Sequence, residues 1–146
     1  TLIYNIINNK PLPIYGKGNN CREWIHVQDH CEALLKIFLK GKIGENFNIG
    51  TSLSIRNVDI AKKLLQILKK ESIVIGNKVK IKFVKDRPGH DFRYALDNKK
   101  IKKTLNWKFK IKLDAGLKRT FEWYLNNLEF FTSVSKKLYD KRLGLN

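Results

Sequence analysis

Methionine is absent from the 146 residues, proline occurs three times and cysteine twice, and carboxylates number 13 against 30 lysines and arginines. With no methionine and an opening Thr-Leu-Ile that already has helical character, the chain is expected to lack a segment upstream of Thr1. Cys21 and Cys31 form no C-x-x-C pair and have no histidine at finger spacing, which argues against a zinc site. They read as reduced thiols, with Cys31 on the apolar face of a helix as a small hydrophobe. No apolar run reaches the roughly 18 residues of a spanning helix, and the first ten residues lack the features of a secretory signal. The expected location is cytoplasmic. Nor is there an internal repeat or a Gly/Ser linker, so residues 1–146 are expected to form a single unit.

What is present is a hydrophobic content of 42% distributed through the chain, which favours a globular fold over disorder. Residues 2–9 read as the end of a helix stopped by Pro11 and Pro13, whose rings cannot donate a backbone hydrogen bond. A short strand, 13–15, meets the turn cluster Gly16-Lys17-Gly18-Asn19-Asn20. A helix from about Gln28 to Lys40 places Cys31, Leu34, Leu35, Phe38 and Leu39 on one stripe, expected to face a sheet. A strand over 46–50 follows, then an amphipathic helix from about Asn57 to Lys70 that buries Val58, Ala61, Leu64, Leu65 and Leu68. The strand 79–84, a segment 94–96, a short helix capped by Asp97, and a last helix carrying Leu113, Leu117, Phe121, Leu125 and Leu128 complete the reading. Strands alternating with helices place the chain in the α/β or α+β class.

The formal charge of +17 raises the question of nucleic acid. Lysines are scattered over polar helix faces rather than gathered in a stripe, and the abundance of Lys, Ile and Asn together fits an AT-rich coding bias. A nucleic-acid partner is therefore the weaker expectation. Gly16-Lys17-Gly18 departs from G-x-G-x-x-G and opens no helix, so it reads as a tight turn. Arg22 and Arg87 could clamp a pyrophosphate through charge-assisted hydrogen bonds, Arg87 being followed by the shaping pair Pro88-Gly89. Tyr15 could stack on a base, and Asn57 could donate to a ligand oxygen. Each has an ordinary alternative: Arg22 an ion pair with Glu23 or Asp29, Tyr15 a core ring, Asn57 a helix cap, Arg87 and His90 a solvated turn. All lie near strand ends, where α/β proteins build sites.

Four blocks in order carry a family resemblance: residues 10–30 (KPLPIYGKGNNCREWIHVQDH), 44–50 (GENFNIG), 86–91 (DRPGHD) and 120–124 (TFEWY). The chain resembles, over essentially its whole length, the C-terminal portion of dTDP-glucose 4,6-dehydratase, an extended short-chain dehydrogenase/reductase. That resemblance implies an α/β substrate-binding portion with the N-terminal Rossmann half mostly absent. It also implies a lyase that uses bound NAD to oxidise C4 of dTDP-glucose, eliminates water across C5 and C6, and returns the hydride to C6, toward rhamnose-type sugars. Leu12, Pro13 and Tyr15 would meet the thymidine end, and Arg22, Asn57 and Arg87 the ribose and diphosphate. His90 would join the same pocket within the loop Asp86, Arg87, Pro88, Gly89, His90. The NAD loop and catalytic residues would lie in the N-terminal half, leaving this chain without them, inactive alone and exposing an apolar face. The full-length family forms homodimers through helices expected upstream, and a further substrate tyrosine would fall just past Asn146. The other readings are a different nucleotide-sugar epimerase or dehydratase, and a basic nucleic-acid-binding module.

Overall fold

A computed structural model describes residues 1–133, so the single unit expected over 1–146 extends at its end outside the described residues. Helix α1 (Leu2–Ile7) leads through Pro11 into strand β1 (Leu12–Tyr15), followed by β2 (Cys21–Glu23), α2 (Val27–Lys40), β3 (Ser54–Arg56) and α3 (Asn57–Lys70). Strand β4 (Ile81–Val84) and helices α4 (Lys99–Leu105), α5 (Leu113–Asn126) and α6 (Phe130–Ser133) complete the order. Among the described residues no helix is long and apolar enough to cross a membrane.

Two small sheets frame the molecule. Strands β1 and β4 pair in parallel with Leu12 opposite Ile81 and Tyr15 opposite Val84, while β2 and β3 pair antiparallel with Arg22 opposite Ile55. The period of two along β1 sends Leu12 and Ile14 into the core and leaves Pro13 and Tyr15 half-buried on the other face. Asn9 braces the approach to β4, its side-chain oxygen accepting from the Lys78 amide at 3.0 Å.

The main core joins α1, β1, α3 and α5 through Ile6, Leu12, Ile60, Leu64, Leu68 and Phe121. Val58 and Ala61 pack with Ile14 in an adjoining cluster, so α3 buries the stripe its spacing predicts, with Leu65 half-buried at its margin. Leu113 and Leu117 join the core from α5, whereas Leu125 and Leu128 are exposed. A second cluster of Ala33, Ile101, Leu105 and Trp107 ties α2 to α4.

Three expectations are corrected. The stripe on α2 faces no sheet: Leu34, Leu35, Phe38 and Leu39 are exposed, Phe38 at 85%. Cys31 is exposed with them and is no small core hydrophobe. The buried side of α2 is instead Asp29, Ala33 and, in part, Ile37, because a buried carboxylate anchors it from that side. Asp29, 1% exposed, accepts from the amides of Lys110 and Ile111 at 3.0 and 2.9 Å and fastens the approach to α5 onto α2. Second, residues 46–50 join no described ladder; Phe47 and Ile49 pack sideways on the α2–α4 cluster, and Asn48 donates to the Asp97 carbonyl. Third, Asn98 rather than Asp97 is the N-cap of α4, although Asp97 still accepts from the Lys99 amide at 2.9 Å.

Candidate functional site

Strand β1 delivers Tyr15 to a turn where Gly16 and Gly18 adopt positive φ of 53° and 73°. The Gly16 amide donates to the Val84 carbonyl at 2.9 Å, which closes the β1–β4 ladder beside the start of the 86–90 loop. A Cβ at Gly16 would stand 2.8 Å from Asp86 Oδ2, and one at Gly18 would stand 2.6 Å from Ile14 and 2.7 Å from Val58. Each glycine makes room for protein rather than for a ligand. Since those spaces are filled, Gly16-Lys17-Gly18 does not fit a dinucleotide pyrophosphate.

Within the loop, Asp86 Oδ1 accepts from the Arg87 amide at 2.9 Å and lies 2.7 Å from His90 Nδ1. The contact with His90, followed by the Arg87 amide, holds the Asp86 carboxyl below the ordinary carboxylate range. The His90 side chain is only 6% exposed and its ring meets Tyr15 edge-on, with centroids 5.8 Å apart. Pro88 and Gly89 form the turn between them, Gly89 at φ 64°. Tyr15 and His90 are thus brought together from strand ends distant in sequence.

Arg22 approaches the same loop from β2. Its Nη1 donates to the Cys21 carbonyl at 2.7 Å and its Nη2 to the Asp91 carbonyl at 2.9 Å, while Asn20 Nδ2 donates to that same carbonyl at 3.1 Å. The Cys21 amide and carbonyl pair with the Phe92 carbonyl and the Tyr94 amide, so the segment after the loop lies along β2. Arg22 therefore forms neither expected ion pair. Glu23 is engaged elsewhere, accepting from the amides of Thr51, Ser52 and Leu96 at 2.9, 3.1 and 2.8 Å.

Asn57 is the first residue of α3 and not its cap, a place taken by Arg56. The amides of Asn57 and Val58 donate to the carbonyls of Asn20 and Gly18, so the turn after β1 closes this helix start. Arg56 reaches back to grip Asp59 through two bonds of 2.7 and 3.1 Å. The Arg87 guanidinium makes no hydrogen bond to protein among the described residues. Leu12 is fully buried in the core and Pro13 half-buried beside Tyr15 on the opposite face of β1. Sequence reasoning missed Asn20, Glu23 and Asp91 as the residues that register the loop. The Asn-Asn pair before β2 and the Arg-Glu dipeptide were the available signals.

A further cleft lies elsewhere. About 910 Å³ opens between α1, residues 24–27, Ile60 and Leu64 of α3, and the aromatic side of α5 and α6, with Trp123, Tyr124, Phe130 and Phe131 in its wall. None of the sequence-predicted binding residues lines it. Its wall is mostly apolar, with Lys112, Arg119 and His26 among its few polar groups.

Known proteins match this arrangement over most of the chain. The family described as GDP-mannose 4,6 dehydratase matches residues 1–120. The dTDP-glucose 4,6-dehydratase 1 of Escherichia coli strain K12 is 38% identical over 99% of this chain and 40% of its own length. The dTDP-glucose 4,6-dehydratase of Bacillus anthracis, solved in complex with NAD, superposes with a TM-score of 0.78 at 34% identity, over 92% of this chain and 40% of that one. The Streptomyces venezuelae enzyme of the same name, solved with NAD and TYD bound, superposes at 0.77 and 34% identity over 88% of this chain and 38% of that one. The chain thus spans about two-fifths of the length of the relatives it matches. Its α/β architecture is that of the epimerase and dehydratase branch of the short-chain dehydrogenases/reductases. The chain belongs to the GDP-mannose 4,6 dehydratase family, and the three relatives compared above are dTDP-glucose 4,6-dehydratases.

Proposed function

We propose that this chain is the nucleotide-sugar-binding portion of a cytoplasmic dTDP-glucose 4,6-dehydratase. The observation that carries the reading is the convergence of Tyr15, Arg22 and the 86–90 loop at one edge of the fold, held by the Asn20 and Arg22 bonds to Asp91. Tyr15 and Pro13 offer the faces for a thymine ring, and Leu12 supports them from the core side of β1. Arg87, whose guanidinium makes no hydrogen bond to protein among the described residues, supplies the charge for the diphosphate. Donors of Arg22 that are not spent on carbonyls extend the same grip, and Asn57 adds a neutral donor.

NAD, held by the part of the relatives this chain does not span, would supply hydride transfer at C4 and C6 of the glucose. On this reading the chain binds but does not turn over. The exposed apolar side of α2 and the open cleft by α5 are where that further part of the enzyme would pack, followed by homodimerisation of the whole.

The test is a ligand series on the full chain: melting shift and calorimetry with dTDP, UDP and GDP. Stabilisation by dTDP alone is expected, whereas an equal response to UDP or GDP would move the reading to another nucleotide-sugar epimerase or dehydratase. Incubation with dTDP-glucose and NAD should give no product, and measurable turnover would mean the catalytic groups are misassigned. The +17 charge favours a second reading, nucleic-acid binding, which predicts an affinity that falls steeply with salt.

A further inference from the structure

We infer that Asp86 is a positioning residue that sets the His90 ring, so that His90 accepts a hydrogen bond from a sugar hydroxyl and the arginines alone meet the phosphates. This inference rests on the nucleotide-sugar reading above and specifies one of its contacts. An ionised carboxylate can only accept, so the 2.7 Å approach of Asp86 Oδ1 to His90 Nδ1 requires the proton on Nδ1. In the neutral ring Nε2 is then a lone pair. A phosphate oxygen is also an acceptor and cannot satisfy that atom, whereas a ribose or hexose hydroxyl can.

The geometry restrains the ring on several sides. Tyr15 meets it edge-on from β1, and its side chain is almost wholly enclosed. The Arg87 amide fixes the carboxylate that fixes the ring, and Gly16 leaves the space the carboxylate occupies. Beside it lie Asp86 and Arg87 on the loop itself, with Asp91 next in the chain and Arg22 bound to the Asp91 carbonyl. Both arginines are donors only, so with the ring neutral the division of labour follows from chemistry: guanidinium to phosphate, imidazole lone pair to hydroxyl.

The tautomer can be read directly from the imidazole nitrogens by NMR on the nitrogen-15-labelled full chain in mildly alkaline buffer. Wild type should carry the proton on Nδ1 of His90. Asp86→Ala should shift it toward Nε2, and Asp86→Asn, which keeps an acceptor oxygen, should restore the wild-type pattern. An unchanged tautomer in Asp86→Ala overturns the proposal without touching the binding reading. In binding, Asp86→Ala and His90→Ala should each weaken dTDP-glucose about tenfold, near the worth of one net hydrogen bond, and the double variant no further. Binding of inorganic pyrophosphate should not weaken in Asp86→Ala. Additive losses, or an equal loss of pyrophosphate, would show that Asp86 acts independently or that His90 meets phosphate. If wild type binds no dTDP-glucose, the binding reading fails while the tautomer still decides the role of Asp86.

Discussion

Helices α2 and α3 are of equal length, 14 residues, and both are amphipathic, yet they meet opposite fates. In α3 the apolar stripe is the buried one, with Leu68 at 0% exposure and Ile60 at 1%. In α2 the apolar stripe points outward and the helix is fastened by a carboxylate on its other side. Periodicity states that a face requires cover; it does not state that the same chain supplies it. One helix has its apolar stripe covered by this fold, and the other keeps its stripe exposed.

The largest expected effect that tests this contrast is Leu68→Ala in α3, a loss of about 2–5 kcal/mol in denaturant unfolding, against less than about 0.5 kcal/mol for Leu35→Ala in α2. Equal losses would mean that the α2 stripe is covered after all. Next in size is Asp29→Ala, which strands two backbone amides and should cost about 1–3 kcal/mol, with faster hydrogen exchange at Lys110 and Ile111. Retained protection at both amides would show that Asp29 is not the anchor of α2.

A smaller effect on stability, but a clear one on association, is expected from Leu35→Lys with Phe38→Lys. Sedimentation should show less self-association with little change in Tm, and unchanged association would remove the exposed stripe as its cause. Gly16→Ala should act locally, pushing the Asp86 carboxylate aside and reproducing the His90 tautomer change of Asp86→Ala. The smallest effect is with pH. The Arg56 bond holds the Asp59 carboxyl below its ordinary range, so its contribution is present above that range and fades as pH falls through the lowered value. Because the pair is on the surface the change should be slight, and urea midpoints of Asp59→Asn should lose this acid-side slope.

Local patterns were legible where neighbours in sequence supply the contacts. The limits of α3, the turn at 16–20 and the stop after α1 follow from spacing, glycine and proline. Residues 46–50 were not, because a β-prone composition says nothing of whether a neighbouring strand is available, and Phe47 and Ile49 found a side-chain cluster instead. Arg22, Arg87, Tyr15 and His90 could be named as candidates from residue type, but their partners could not. The bond from Arg22 to the Asp91 carbonyl and the three amides on Glu23 depend on segments brought close only by the finished fold.

The parallel register that seats Leu12 opposite Ile81 carries a consequence for the order of assembly. All of residues 16–80 must be synthesised before β1 can find its partner, and closing so long a loop is entropically slow. During synthesis β2, β3 and α3 can meet first, leaving the backbone of β1 unpaired until β4 emerges. The edge that Tyr15 shares with the 86–90 loop is then among the last features to form. A nascent chain arrested before Val84 should expose β1 to proteolysis, and release of the next few residues should protect it.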